Sequence, residues 1–313
     1  MSYRKITKYF QNIKLYGIIG AAVIMAMSVT ACSTVKNSGT EITADQTSAG
    51  ATVNGIYSYD DMFTERDLDV GYDESSAVKI NLADDSTTVT VGDDTEADAS
   101  EIDETKADET QADESETDGT KADKSETNET KAASSGVSIS GNIITISKEG
   151  TYVLSGALSE GQIVVDADSA KVQLVLDNVD ITCASSAAIY VKNADKTFIT
   201  LAEDSENILM NTAEYEAIDD NNIDAVIFSK DDLTLNGKGT LTINSEYGHG
   251  IVSKDDLKLV SGTCNITAKK HALSGKDSVR IAAGTYNLTS GKDGIHSENA
   301  DDDEKGFVYI ASG

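Results

Sequence analysis

Alternation of apolar and polar positions is the strongest signal in this chain. In Leu241-Thr-Ile243, Leu257-Lys-Leu259 and Val279-Arg-Ile281 every second residue is apolar, a period of two that turns one set of side chains inward and the other outward along an extended strand. No helical period of 3.6 accompanies it. The strands also recur: Ile227-Phe-Ser-Lys-Asp-Asp-Leu233, Ile251-Val-Ser-Lys-Asp-Asp-Leu257 and Leu273-Ser-Gly-Lys-Asp-Ser-Val279 are one motif, and Ile295 opens a fourth unit, at steps of 24, 22 and 22 residues. Each unit holds a second match, Gly239-Thr-Leu-Thr-Ile243, Gly262-Thr-Cys-Asn-Ile266 and Gly284-Thr-Tyr-Asn-Leu288. Three short apolar stretches per repeat, punctuated by Gly, Asp and Lys, predict an all-β solenoid, a parallel β-helix of 22–24 residues per coil. A leucine-rich repeat would need its Leu-x-x-Leu-x-Leu frame, which is absent. Stacked coils about 4.8 Å apart pair their backbones with the turns above and below and leave open edges only at the two ends.

The same alternation extends upstream. Val78-Lys-Ile-Asn-Leu82 and Thr88-Val-Thr-Val91 read as the first strands, and others follow at Val137-Ser-Ile139, Ile143-Ile-Thr-Ile146, Tyr152-Val-Leu154, Gln162-Ile-Val-Val165, Val172-Gln-Leu-Val-Leu176, Val179-Asp-Ile181, Ala188-Ile-Tyr-Val191 and Phe198-Ile-Thr-Leu201. A long excursion from Glu203 to Asp224 comes next. Phe63-Thr-Glu-Arg-Asp-Leu68 and Tyr72 are expected to form an N-terminal cap, since an open β-helix end exposes unpaired strand edges. The β-helix is thus assigned to residues 59–313. Residues 93–131 interrupt it with 16 acids and 4 lysines, too few apolar groups to fold alone. This acidic insertion is expected to be disordered, either as a tolerated surface loop or as a spacer arm that attracts cations. Val308-Tyr-Ile-Ala-Ser-Gly313 repeats Val279-Arg-Ile-Ala-Ala-Gly284, so the domain is expected to be C-terminally incomplete.

Composition divides the N-terminal part. Arg4, Lys5, Lys8 and Lys14 precede an apolar, acid-free run from Ile18 to Val29, the order of a secretion signal and not of a spanning helix. Val29-Thr-Ala-Cys32 resembles the lipobox of bacterial lipoproteins, which implies cleavage before Cys32, lipidation of its sulfur and anchoring on the outer face of the bacterial cell membrane. Residues 1–32 are accordingly a signal peptide, and residues 33–58, rich in Ser, Thr, Ala and Gly, a flexible tether. Net charge is −29, and loss of the +4 signal leaves the chain near −33. Such a surface repels phosphate polymers, so nucleic acid is not an expected partner, and it attracts divalent cations. Cys183 and Cys264 fall in strand-like runs several coils apart and read as packed thiols, not a disulfide.

Stacking turns repeats into columns. Asp231, Asp255 and Asp277 should lie one above another beside Lys230, Lys254 and Lys276, and carboxylates about 4.8 Å apart repel by roughly 1 kcal/mol in water and more where solvent is partly excluded. Two explanations offset that repulsion: each Asp caps its own turn while the lysine column neutralises it, or Ca²⁺ is bound, with its six to eight oxygen ligands. Further candidate metal ligands are Asp219, Asp220 and Asp224 in the excursion, and Asp301 and Asp302 in a second acidic run between Ile295 and Val308. His249, His271 and Asp293 occupy equivalent places at one corner, with His296 on the neighbouring strand. This column reads either as polar turn residues or as a zinc or catalytic site short of ligands.

Thr-Tyr-Val-Leu-Ser-Gly (151–156), Val-Gln-Leu-Val-Leu-Asp-Asn-Val-Asp-Ile (172–181), Ile-Tyr-Val-Lys-Asn-Ala-Asp-Lys (189–196) and the two Ser-Lys-Asp-Asp-Leu motifs resemble the calcium-binding right-handed β-helix carbohydrate-binding domains of bacterial surface lipoproteins. The resemblance implies a fold shared with pectate lyases, bound Ca²⁺, and non-catalytic binding of a cell-wall polysaccharide, pectin-like or cellulose, at the cell surface. The family-like Asp-Gly-Ile corner survives only at Asp293-Gly-Ile295, where Asp293 would be the metal ligand; His249 and His271 replace Asp in the other two. Trp is absent and aromatic residues make up only 5% of the chain, so contact with a neutral polymer would rest on a flat polar strand face with Tyr247 or Tyr309. An acidic polymer would bridge through Ca²⁺, with His249, Lys254, Lys276 and Arg280 as further contacts. Two alternatives are a polysaccharide lyase, in which Arg280 removes the uronate α-proton beside Ca²⁺, and a structural adhesin stalk.

Overall fold

A computed structural model describes residues 14–17, 58–92, 134–217 and 219–313. The predicted signal peptide outside residues 14–17, Cys32, nearly all of the tether and the 93–131 insertion lie outside the described residues. The rest forms the expected parallel β-helix, with three strand faces to each coil. Face one stacks 78–82, 150–154, 171–176, 196–201, 232–237, 256–259, 278–281 and 307–310. Face two stacks 156–158, 180–182, 206–211, 240–245, 263–268 and 285–290. Face three runs from 143–146 through 162–166, 189–193, 225–229, 249–253 and 273–275 to 295–297. Lys14–Gly17 pairs in parallel with Phe307–Ile310.

Register places like over like, as the period-two pattern requires. Ile163, Ile189, Ile227, Ile251, Leu273 and Ile295 make one inward ladder. Leu174, Ile199, Leu235, Leu259 and Ile281 make another, and Ile181, Leu209, Ile243, Ile266 and Leu288 the third. Nearly all are fully buried, and each contributes about 1.5–3 kcal/mol of transfer free energy. Cys183 and Cys264 are buried free thiols in this core, and burial pushes them up to about 11 and about 12.

The ends differ from expectation. Thr88–Val91 and Val137–Ser140 do not extend the coil; each folds back antiparallel, on Val78–Leu82 and Ile143–Ile146 respectively. These hairpins occupy the N-terminal strand edges, the task assigned to Phe63–Leu68. That segment instead forms two single-turn helices, Tyr59–Met62 and Glu65–Leu68, each closed by a capping box from Ser58 or Thr64, and it straps the outside of face one. Beneath it runs the outward row Gln173, Phe198, Thr234, Lys258, Arg280 and Tyr309. Met62 and Phe63 pack with Val260, Ala282, Phe307 and Tyr309, and the Arg66 guanidinium lies 4.4 Å from the Phe198 ring centre.

Asp67 pins the strap. Its carboxylate is fully buried and accepts from Lys196 Nζ at 2.5 Å, Lys258 Nζ at 2.9 Å and Thr234 Oγ1 at 2.9 Å. Burial alone would raise this carboxyl. The bonds from Lys196, the Thr64 N–H and Lys258 outweigh burial and hold it well below the ordinary carboxylate range.

Candidate functional site

At the corner between faces three and one, Ser229, Ser253 and Gly275 are in register, and two residues on from each stand Asp231, Asp255 and Asp277. The predicted column therefore exists. Ser229 and Ser253 set the turn: each hydroxyl accepts the N–H of the Asp two residues later (3.2 Å), and both donate to the Asp231 carbonyl. Asp277 N–H reaches the Asp255 carbonyl at 3.1 Å. A second column, Asp232 over Asp256, stands beside the first. The repeat Lys-Asp-Asp contained that signal, but only its first Asp was selected.

These carboxylates differ in their partners. Asp277 is held by Lys305 Nζ (2.6 Å) and Asn299 Nδ2 (2.7 Å), and Asp256 by Arg280 (2.8 Å) and Ser278 Oγ (2.6 Å). Among the described residues the Asp231 carboxylate accepts only the Ala194 N–H and the Asp232 carboxylate only the Asp256 N–H. The Asp255 carboxylate accepts no hydrogen bond among the described residues. Burial raises the carboxyls of Asp231, Asp232 and Asp255, and for Asp255 the nearby Asp277, Asp232 and Asp231 raise it further. Of the lysine column, Lys230 lowers Asp231 without cancelling the effect of burial. Lys254 lies 5.1 Å from the centre of the Phe228 ring, and Lys276 pairs with Asp301 at 3.4 Å.

Apart from Asp293, the other predicted metal ligands sit on two separate loops, of which the one bearing Asp301 and Asp302 packs beside Asp277 through Asn299 and Lys305. Asp219 accepts from Tyr190 Oη at 2.5 Å, Asp220 is exposed, and Asp224 accepts from Lys270 Nζ (2.8 Å) and His249 Nε2 (3.3 Å). They anchor the excursion, whose Tyr215 and Ile223 cover the outward apolar row Val164, Tyr190, Phe228 and Val252 of face three. Asp301 and Asp302 are exposed turn residues whose N–H groups are capped by Asn299 Oδ1.

The column His249, His271 and Asp293 forms in the expected register, and the His296 ring joins its stack. His249 stacks on His271 (centroids 5.0 Å apart) and His271 on His296 (4.1 Å), so the third ring is His296. Asp293 supplies backbone and carboxylate: its N–H donates to His271 Nδ1 at 3.1 Å, as the His271 N–H does to His249 Nδ1 at 3.2 Å. Burial, then His296 and His249, lower His271 to about 4.

The predicted sugar contacts are scattered. Arg280 lies under the strap, with bonds to Ser278, Asp256 and the Met62 carbonyl; this clamp takes it away from any substrate. Tyr309 is buried there too. Tyr247 is 42% exposed and sits at the opposite corner, where it lines a groove of about 340 Å³ with Tyr215, Glu214, Glu216, Asn222 and Lys270. That groove lies where face two ends. Among the described residues face two itself is uncovered, and its outward rows are mostly polar: Thr240, Thr263 and Thr285; Thr242, Asn265 and Asn287 beside the exposed Ile208; Asn244, Thr267 and Thr289 beside Met210. Asn287 donates to Asn265 at 2.8 Å across the coils.

Comparison with known proteins finds carbohydrate-binding relatives. Residues 140–313 match the family of carbohydrate-binding domain-containing proteins. A carbohydrate-binding domain-containing protein of Acetivibrio thermocellus is 43% identical over 137 residues, a match covering 43% of this chain and 47%, about half, of the relative. Among solved structures, a polysaccharide lyase-like protein from C. thermocellum, a gadolinium derivative, superposes with a TM-score of 0.59 at 32% identity, covering 75% of this chain and 79% of that one.

Proposed function

The chain belongs to the family of carbohydrate-binding domain-containing proteins, and from that premise we propose that it binds an extended cell-wall polysaccharide along face two without cleaving it. One observation carries the reading: face one is strapped by residues 59–69 and the middle of face three is covered by the excursion, so among the described residues face two is the long strand surface left open. Its Thr and Asn side chains repeat at the coil spacing and offer donors and acceptors to sugar hydroxyls along a polymer. Tyr247 and Tyr215 in the adjoining groove supply rings for a sugar face. No row of cations crosses this face, so its chemistry is hydrogen bonding, suited to a cellulose-like chain; a pectin-like chain would add a contribution from Lys270. Arg280, clamped under the strap, supports binding over β-elimination.

Calcium is the second part of the proposal. Asp231, Asp232 and Asp255 are partly buried carboxylates on neighbouring coils whose ionised forms are disfavoured, and these residues would face the ion; Ca²⁺ would supply charge neutralisation between successive coils. The structural relative is a gadolinium derivative, and hard cations take this oxygen donor set. Anchoring through a lipidated Cys32 would present the domain at the outer cell surface.

Co-sedimentation with cellulose and affinity electrophoresis in polygalacturonate, each with calcium or chelator, test the proposal. Tyr247→Ala and the pair Thr242→Glu/Thr267→Glu are expected to weaken polymer binding at least about tenfold, the scale of one or two lost contacts, with unchanged melting. Unaltered binding in both variants, or unsaturated-product absorbance from polygalacturonate that disappears in Arg280→Ala, overturns it.

A further inference from the structure

The histidine column carries an inference that does not rest on the polymer reading. His271, Asp293 and His296 each offer a ligand atom within 4.8 Å of the other two, and among the described residues they are the one such group of three His, Cys, Asp or Glu side chains. The Asp293 carboxylate oxygen Oδ2 lies 3.3 Å from His271 Nδ1 and 3.2 Å from His296 Nδ1. Those separations match the edges of a coordination shell whose metal bonds are about 2.0–2.2 Å long. Glu298 stands behind, its carboxylate 3.8 Å from His296 Nε2.

The donor set selects the ion. Two imidazoles and one carboxylate suit Zn²⁺, Cu²⁺ or Ni²⁺, whereas Ca²⁺ takes six to eight oxygens. We propose that His271, Asp293 and His296 form a transition-metal site at the corner entering face three, separate from the carboxylate corner. Rigidity comes from the coil: His249 stacks beneath His271, and the backbone at 271 and 293 is fixed by ladder bonds. His271 is buried, while His296 and Asp293 are more open, and three protein ligands leave a position for water. Binding through His271 Nδ1 exchanges the hydrogen bond from the Asp293 N–H for a metal bond, and this exchange tempers affinity.

Co²⁺ is the probe, added to untagged full chain and followed by visible ligand-field absorption, with Zn²⁺ competition and the shift in melting temperature as further readouts. A saturable band at one Co²⁺ per chain, displaced by Zn²⁺ but not by millimolar Ca²⁺, is expected. His296→Ala and Asp293→Asn should each weaken Co²⁺ binding at least about tenfold. Each metal-free variant is to be checked for native melting, and Asp255→Asn should leave the band intact. Absence of a band, a band displaced by Ca²⁺, or one that survives in the folded His296→Ala/Asp293→Asn double variant overturns the assignment.

Discussion

Asp67 shows how one carboxylate joins distant parts of the chain. Substitution by Asn leaves the Lys196 and Lys258 ammonium groups, both nearly buried, without their counter-charge. We expect Asp67→Asn to lose about 3–5 kcal/mol in urea unfolding, the usual cost of breaking a buried pair from one side. Asp224 behaves alike: burial would raise it, but His249 and Lys270 bring it down to about 2. Both groups bind protons less readily folded than unfolded. Stability is therefore fully present above about pH 4 and lost as pH falls from there through the folded values, Asp224 accounting for roughly 2 kcal/mol between about pH 4 and pH 2. Thermal melts across pH 2–6 check this, and Asp224→Asn should flatten the profile. Neither role was legible beforehand, since Asp67 sits 129 and 191 residues from its lysine partners and nothing in a local motif announces such a pairing.

At the scale of elements, the strap and the excursion decide which faces are open. Both were visible as departures from the repeat, yet where they dock was not. A clue existed in the outward row of face one: Phe198 and Tyr309 occupy polar-facing positions, and an aromatic there asks for cover. Arg280 follows from the same geometry. Because it holds the Met62 carbonyl and Asp256, Arg280→Ala should leave polysaccharide binding unchanged and increase proteolytic cleavage between residues 59 and 69; a loss of binding with an intact strap would contradict that. Turns impose their own limit. Gly237 has φ +115°, and a Cβ there would lie 2.2 Å from the Leu201 carbonyl oxygen in the coil beneath. Gly237→Ala is expected to cost at least about 1–3 kcal/mol, read as a lower melting temperature.

Across the whole molecule, charge works against folding. A net charge of −29 repels itself, so monovalent salt should raise the melting temperature by screening. Calcium chloride at matched ionic strength should raise it further if an ion joins the Asp255 corner. Asp255→Asn should melt higher than the parent without calcium, because its ionised form is disfavoured in the fold, and should respond equally to both salts; a larger calcium response in that variant would sink the corner as the binding place. The repeat Ser-Lys-Asp-Asp and its period of two sufficed to predict the β-helix, the inward ladders and the Asp column, because coil stacking maps equal sequence positions onto equal spatial ones. Period alone does not say which outward surfaces other segments cover, which lysine reaches which carboxylate, or that His296 takes the third place in the imidazole stack. Those outcomes depend on contacts between residues far apart in the chain, whose energies exist only once the coils are wound and the strap and excursion have docked.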